Sequence, residues 1–370
     1  MKINILILII FISGTSVHGN VLNVYFGTGG TTAKGIYHAT FDPETGKLSD
    51  AKLAAQLNNP GFLALHPDKQ KLYAVGQLEG RAVVAGYQIN PSGVLTQFTV
   101  SSIPDGTGTH LAVHPSGKFL LTAQYGGGST ALFPLDRDGK LGTSMAIEHE
   151  GGSNVVPGRQ DKPHPHWCGY SPEGQYALIP DLGLDGIVIY HADQDKPAIS
   201  YHGFAAAIPG GGPRHMRFSV DGKFIYLLNE LTVSVTTFAY NSETGTAVRM
   251  STTPALTEEV KDKEGFNSAA EILVHPNGRF VYSSNRGHDS ITSYLADPAT
   301  GHLTVTEVES IRGAWPRNIN LDGSGRWLLA AGAHSNTISV FAIDQSSGEL
   351  TFQPKSIINV PGPICILFVE

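Results

Sequence analysis

Residues 210–231, GGGPRHMRFSVDGKFIYLLNEL, contain a pattern that repeats along the chain and indicates its fold. Two short apolar runs, residues 216–218 and 224–228, flank the turn Ser219-Val220-Asp221-Gly222-Lys223. Glycine after aspartate supplies the left-handed backbone that a tight hairpin needs. The stretch therefore predicts a strand, a turn and a second strand.

Four polar residues lie at the two free ends of this hairpin. Arg214 and His215 enter the first strand, and Asn229 and Glu230 leave the second. Because paired strands of a hairpin are antiparallel, these side chains are predicted to converge at one end. If the same unit recurs around a ring, that end becomes a candidate site.

Similar hairpins recur along the whole chain, and each is followed by two more strand-like runs. Their turn glycines are 47 to 57 residues apart, at Gly117, Gly174, Gly222, Gly278 and Gly325. Self-similarity at a period near 50 residues is typical of repeat folds, and four antiparallel strands per repeat form the blade of a β-propeller. The sequence therefore predicts an all-β propeller.

The two ends of the chain predict how the ring closes. The first run, residues 23–27, reads as a second strand without an inner strand before it. The last run, residues 363–369, reads as an inner strand without a hairpin after it. Pairing them completes a seventh four-stranded blade and removes the open sheet edges. One seven-bladed propeller domain is predicted over residues 20–370.

Composition and charge restrict the class of partner. The 370-residue chain is 41% hydrophobic and 15% charged, with 43 glycines and a net charge of −7. This balance has no basic surface signal for nucleic acid, so none is expected as a partner. Cys168 and Cys365 fall in predicted inner strands of distant blades, and we expect both to remain unpaired.

The first 19 residues have the pattern of a secretory signal peptide. Lys2 precedes an apolar run over residues 5–12, and small or polar residues follow as far as Gly19. The apolar run is too short to span a bilayer. The mature protein is therefore predicted to be secreted or periplasmic, without a membrane anchor after cleavage.

Charged side chains concentrate on one face of the predicted ring, here called the polar face. With the blades numbered by their inner strands in chain order, blades 3, 4 and 5 contribute His166, Arg214, Glu230, Glu271 and Arg286. A carboxylate or imidazole beside two guanidiniums can act as a base while the arginines hold an anion. Either Glu230 or His166 fits the role of base at this stage.

Further residues on or near this face have both functional and structural interpretations. Candidate substrate-binding residues are His164, His215, Glu271, Arg317 and Asp181. Asp181 can instead bond the backbone at a strand end, Glu271 can support Arg286, and Arg214 with Glu230 can form an ion pair that only ties the hairpin. His66, His114 and His275, in turns at the opposite end, are expected to be structural.

Seven short motifs in order resemble the seven-bladed propeller lactonase family. They are His164-Pro165-His166, Pro180-Asp181-Leu182-Gly183, Gly212-Pro213-Arg214-His215, Asn229-Glu230-Leu231, Ser268-Ala269-Ala270-Glu271-Ile272, Ser284-Asn285-Arg286-Gly287-His288-Asp289-Ser290 and Pro316-Arg317-Asn318. The family includes propeller-type 6-phosphogluconolactonases and 3-carboxy-cis,cis-muconate cyclases. The resemblance implies a catalytic set of His166, Arg214, Glu230 and Arg286, with no metal and no cofactor.

The function expected from these observations is hydrolysis of a small, anionic, sugar-acid-like lactone. The first alternative is a cycloisomerase of the 3-carboxy-cis,cis-muconate cyclase type, which uses the same groups to protonate or deprotonate carbon beside a carboxylate. The second is a propeller that binds a ligand on the same face without turning it over.

Overall fold

The computed structural model describes residues 21–369, which form seven antiparallel sheets arranged as blades in a ring. Around the ring the inner strand of each blade contacts that of the next, except between blades 3 and 4, where the main contact joins the second strand of blade 3 to the inner strand of blade 4; the last inner strand contacts the first. The seven-bladed, all-β prediction is therefore confirmed. The predicted signal peptide, residues 1–19, lies outside the described residues.

Within each blade, successive strands follow the predicted order from the inside to the outside. The chain starts in blade 7, at its second strand, with β1 (Leu22–Thr28), β2 (Gly35–Asp42), β3 (Lys47–Leu48) and β4 (Lys52–Gln56). Blade 1 has β5 (Asn58–Leu65), β6 (Lys71–Leu78), β7 (Arg81–Ile89) and β8 (Leu95–Ser102). Blade 2 has β9 (His110–Val113), β10 (Phe119–Gln124), β11 (Ser129–Pro134) and β12 (Met145–Glu148).

The second half of the chain continues the same arrangement. Blade 3 has β13 (Gly169–Tyr170), β14 (Tyr176–Asp181), β15 (Gly186–Ala192) and β16 (Ile199–Ala206). Blade 4 has β17 (Pro213–Phe218), β18 (Phe224–Asn229), β19 (Ser234–Asn241) and β20 (Thr246–Pro254). Helix α1 (Glu258–Lys263) precedes blade 5, which has β21 (Ser268–Val274), β22 (Phe280–Arg286), β23 (Ser290–Ala296) and β24 (Leu303–Ser310). Blade 6 has β25 (Pro316–Leu321), β26 (Trp327–Gly332), β27 (Thr337–Ile343), β28 (Leu350–Phe352) and β29 (Ile358–Asn359), and β30 (Pro363–Val369) completes blade 7.

The inner strand of blade 3 is shorter than the predicted 166–170. Only β13 is a regular strand, and before it Pro165 forms an isolated bridge with Asp181. Proline has no N–H to donate to the ladder, so the regular pairing is interrupted here. The segment before β13 is nevertheless hydrogen-bonded to β14, because the His166 N–H donates to the Pro180 carbonyl at 3.0 Å.

The ring closes as the sequence predicts. Strand β30 pairs antiparallel with β1, from Asn23 opposite Val369 to Thr28 opposite Pro363. The hydrophobic core consists of clusters that each fill the space between two neighbouring blades. Strand β30 contributes to two of them, because Cys365 packs between blades 7 and 1 and Ile366 packs between blades 6 and 7.

Turns at the end opposite the polar face link blade 2 to blade 3 and blade 5 to blade 6. His114 Nε2 donates to the Gly174 carbonyl of the next turn at 2.9 Å, and His275 Nε2 donates to the Gly325 carbonyl at 2.7 Å. These contacts agree with the structural role expected for the turn histidines. Both cysteines are buried and unpaired. Within residues 21–369, no helix is long and apolar enough to cross a membrane.

Replacing Ile366 with alanine tests the importance of ring closure. Ile366 is 3% exposed and packs between the first and last parts of the chain. The cavity left by Ile366→Ala is expected to lower the free energy of unfolding by about 2–5 kcal/mol. Urea denaturation of the mature chain measures this, with Val220→Ala, an exposed turn position, as the control. Equal stability of the two variants would contradict a closing role for β30.

Candidate active site

β-Bulges at the start of inner strands direct side chains onto the polar face. The pairing of blade 4 shifts between Pro213 and His215, and that of blade 6 shifts between Pro316 and Asn318. The extra residue in each case is an arginine, Arg214 or Arg317. Since a bulge bends the strand and redirects its side chains, consecutive residues such as Arg214 and His215 both reach the central cluster.

The same hydrogen-bonded turn follows the second strands of blades 4 and 5. Asn229 Nδ2 donates to the hydroxyls of Ser234 and Thr236, at 3.0 and 2.9 Å. Asn285 makes the equivalent bonds in blade 5, also at 3.0 and 2.9 Å. The residues directly after these asparagines are Glu230 and Arg286. Two equivalent, locally fixed turns therefore place a carboxylate and a guanidinium next to each other.

Glu230 is the centre of an ion cluster that combines three separate parts of the chain. Its Oε2 lies 2.9 Å from Arg214 Nε and 3.1 Å from Arg286 Nη2. Its Oε1 accepts a hydrogen bond from Arg159 Nη2 at 2.8 Å, and His166 Nε2 lies 3.8 Å from Oε2. The four residues of the implied catalytic set are thus brought together, with Arg159 as a fifth member.

The arginines determine the charge state of this carboxylate. Burial raises the pKa of Glu230, but the charges of Arg286 and Arg214 outweigh it, so that the pKa lies well below its usual range. Arg214 is itself 2% exposed, and its Nη1 also donates to the Ala270 carbonyl. Glu230 is therefore an ionised anchor for guanidiniums and a weak base.

His166 has the opposite character. Burial first, and the Arg214 charge second, lower its pKa well below 6.5, so the imidazole is neutral at pH 7. Its Nδ1 is buried and has no hydrogen-bond partner among the described residues, and the same is true of Arg286 Nε. Unsatisfied buried polar atoms are rare in folded proteins, and two of them flank Glu230 here.

A second buried cluster is centred on Glu271. His215 Nδ1 donates to its Oε1 at 3.0 Å, Arg217 Nη2 lies 3.1 Å from the same oxygen, and Asn318 Nδ2 donates to Oε2 at 2.7 Å. The alternative that Glu271 supports Arg286 is wrong, because its carboxylate is directed to these three groups. The His215 ring lies 5.4 Å from the His166 ring, so the two clusters are adjacent.

Asp181 and His164 occupy supporting positions. Asp181 is fully buried, and it accepts hydrogen bonds from the His164 N–H at 2.8 Å and from His149 Nδ1 at 2.8 Å. These contacts match the structural interpretation of Asp181, in which its carboxylate bonds the backbone at a strand end. His164 donates from Nδ1 to the Tyr125 carbonyl at 2.7 Å and stacks on the Tyr125 ring at 4.4 Å.

Sequence reasoning missed Arg159 and Trp315 as neighbours of the catalytic set. Arg159 lies in the long insert before blade 3, and it also donates to the Tyr125 hydroxyl at 3.3 Å. The Arg286 guanidinium lies over the Trp315 ring, 5.5 Å from its centroid. The available signal was the insert itself, residues 148–163, which is long and carries an arginine. Within residues 21–369, no group of three or more His, Cys, Asp or Glu residues is arranged to hold a metal ion.

The buried imidazoles predict a loss of stability in mild acid. Burial lowers the pKa of His110, His166 and His215 well below 6.5. Below pH 6.5 the unfolded chain takes up protons at these sites that the folded chain does not, so stability falls as the pH falls. From pH 7.5 to 5.5 we expect a loss of about 4 kcal/mol, measured by urea unfolding. His110→Phe is expected to reduce the loss by about 1 kcal/mol; equal stability at the two pH values would contradict the burial of neutral imidazoles.

The comparison with known families covers nearly the whole described chain. Residues 23–368 match the family model described as lactonase, 7-bladed beta-propeller. The chain is 34% identical over 352 residues to the 6-phosphogluconolactonase of Bacillus subtilis, covering 94% of this chain and 99% of the relative. It is 31% identical over 332 residues to the 6-phosphogluconolactonase of Formosa agariphila, covering 88% and 92% respectively.

A solved structure gives the same result at the level of the fold. The periplasmic gluconolactonase of Pseudomonas aeruginosa superposes with a TM-score of 0.86 at 29% identity, covering 95% of this chain and 99% of the other. The family match, the similar sequences and the superposed ring agree with one another. This chain belongs to the seven-bladed β-propeller lactonase family.

Proposed function

We propose that this protein is a lactonase that hydrolyses the ester of a sugar-acid lactone on the polar face of its propeller. The observation that carries the proposal is the neutral His166 beside a carboxylate that is held by three guanidiniums. A base and anion-binding groups are what ester hydrolysis needs, and the similar proteins are named for lactone hydrolysis. These names favour hydrolysis over the cyclisation alternative.

We assign the roles of general base and general acid to His166, because its neutral imidazole can accept a proton. His166 removes a proton from water as the water oxygen attacks the lactone carbonyl carbon. The guanidiniums of Arg286 and Arg214 stabilise the resulting oxyanion. When the ring C–O bond breaks, the imidazolium returns its proton to the departing alkoxide, and the product is a hydroxy acid. Glu230 holds the arginines in place and remains ionised throughout.

The compartment proposed for this reaction is outside the cytoplasm. The first 19 residues have the signal-peptide pattern, and a similar solved protein is described as a periplasmic gluconolactonase. Other relatives are named 6-phosphogluconolactonase. The substrate class proposed for this chain is therefore the lactones of aldonic acids and of their acidic derivatives.

A lactone panel tests the reaction type. The purified mature chain is expected to release acid from δ-gluconolactone or 6-phosphogluconolactone faster than the spontaneous rate, measured at constant pH. His166→Gln is expected to lower kcat about a hundredfold or more, the usual contribution of a general base. His202→Gln, at an exposed position on an outer strand, is the matched control and should retain full activity. Loss of diene absorbance from a carboxymuconate without lactone hydrolysis would overturn the proposal in favour of the cyclase.

The pH profile separates His166 from Glu230 as the base. Since the pKa of His166 lies well below 6.5, kcat/KM is expected to be level between pH 7.5 and 6.5 and to fall only in more acidic solution. The Glu230 charge raises the pKa of His166, so Glu230→Gln should lower the rate and move the acid limb to lower pH. Loss of the acid limb in Glu230→Gln, together with its retention in His166→Gln, would assign the base to Glu230 instead.

A further inference from the structure

Arg317 is a partly buried cation whose guanidinium contacts no carboxylate directly. Its side chain makes no hydrogen bond and no ion pair with any other residue in the range 21–369, although it is the bulge residue at the start of the inner strand of blade 6. Burial, followed by the charge of Arg286, lowers its pKa, and the charge of Glu230, which three other arginines contact directly, offsets this only in part. A desolvated charge is costly unless an opposite charge accompanies it.

The other guanidiniums of the polar face already share the available carboxylates. Arg159, Arg214 and Arg286 surround the single charge of Glu230, and Arg217 pairs with Glu271. Five guanidiniums therefore accompany two carboxylates in this group. The neighbouring imidazoles are neutral at pH 7 because burial lowers their pKa values. The excess of positive charge is the arrangement expected for a ligand with more than one negative charge.

Arg317 opens onto a cavity of about 310 Å³, and none of the described residues that line it belongs to blades 3 to 5, which carry His166, Arg214 and Arg286. The walls come from blades 6, 7, 1 and 2 and consist of Arg317, Ile364, glycines and short polar side chains: Gly29, Asn59, Gly61, Gly76, Gln77, Thr107, Gly108 and Thr109. None of the described residues that line it is acidic. The cavity is thus roomy, rich in neutral hydrogen-bonding groups, and charged only by Arg317.

Glycine at position 61 leaves space in this cavity. A side chain at Gly61 would meet little, since a Cβ there lies 3.7 Å from Ile364 Cδ1, yet glycine occupies the position. A Cβ at Gly76 or Gly108 would lie within 2.7 Å of Leu57 or Val75 side-chain atoms, so those glycines also allow close packing. Since one water takes about 30 Å³ in the liquid, the space admits a tetrahedral anion together with part of a carbon chain.

We propose that Arg317 and this cavity form a second anion subsite, which binds a phosphate or carboxylate group of the substrate remote from the lactone ester. The inference rests on the proposed lactonase function and makes it more specific. The ester is bound at His166, Arg214 and Arg286 on blades 3 to 5, and the second anion is bound at Arg317 on blade 6. Lactones that carry such a group are therefore preferred over the neutral lactone.

Three lactones and one charge-removing variant test the subsite. The panel comprises neutral δ-gluconolactone, 6-phosphogluconolactone as the phosphate arm, and a glucaric acid lactone as the carboxylate arm. In Arg317→Gln, kcat/KM for at least one anionic lactone should fall about tenfold to a hundredfold more than for δ-gluconolactone, the usual effect of losing a charged hydrogen bond. Arg312→Gln, which removes an exposed arginine paired with Glu309 at 2.8 Å, is the matched control and should leave the ratios unchanged.

Titration with inorganic phosphate gives a readout that does not depend on turnover. Calorimetry should show phosphate binding to the mature wild-type chain and at least tenfold weaker binding to Arg317→Gln. Equal phosphate affinity of the two proteins, or equal loss of kcat/KM for neutral and anionic lactones, would overturn the subsite. If no lactone is hydrolysed by the wild type, the lactonase proposal fails, and the phosphate titration still decides whether the subsite exists.

Discussion

The ion cluster around Glu230 is the interaction on which the site depends. One buried carboxylate faces guanidiniums from the insert before blade 3, from blade 4 and from blade 5. Removing one partner from a buried ion group leaves uncompensated charge and costs about 3–5 kcal/mol. The cluster therefore fixes the relative positions of three chain segments, and the proposed catalytic groups share the rigidity of the ring.

The propeller fixes the positions of the side chains in this cluster. Each blade packs on its neighbours through a separate hydrophobic cluster, and β30 joins the two ends of the chain. The polar side chains lie at strand starts and ends, where bulges and asparagine turns fix their directions. Backbone pairing holds these positions, so that the polar face can vary its side chains without disturbing the core.

Much of the fold was predictable because its signals are local. A hairpin with apolar strands and an Asp-Gly turn, such as residues 219–223, is visible in a short window. Repetition of that window then implied the ring, and the unpaired runs at the two ends implied its closure. The strand ends followed from the hairpins, so the proximity of His166, Arg214, Glu230 and Arg286 could be predicted as well.

The remaining features depend on three-dimensional contacts that no local pattern encodes. Arg159 reaches Glu230 through the path of a long insert, and this path is fixed by a buried residue of the same loop, Gln160, which donates to the Leu182 carbonyl at 2.9 Å. Glu271 turned toward His215 and Asn318 because the bulge in blade 5 displaces it from Arg286. The choice of His166 over Glu230 as the base required the surrounding charges, which only the folded chain brings together.

A crystal structure of the mature chain with gluconate bound would show whether the Glu230 cluster binds the reacting end of the substrate. Gluconate is the product of δ-gluconolactone hydrolysis, so its carboxylate occupies the place of the former ester carbonyl. We expect this carboxylate within hydrogen-bond distance of Arg286 or Arg214 and next to His166 Nε2. A carboxylate bound away from the Glu230 cluster, with His166 contacting no part of the ligand, would contradict it.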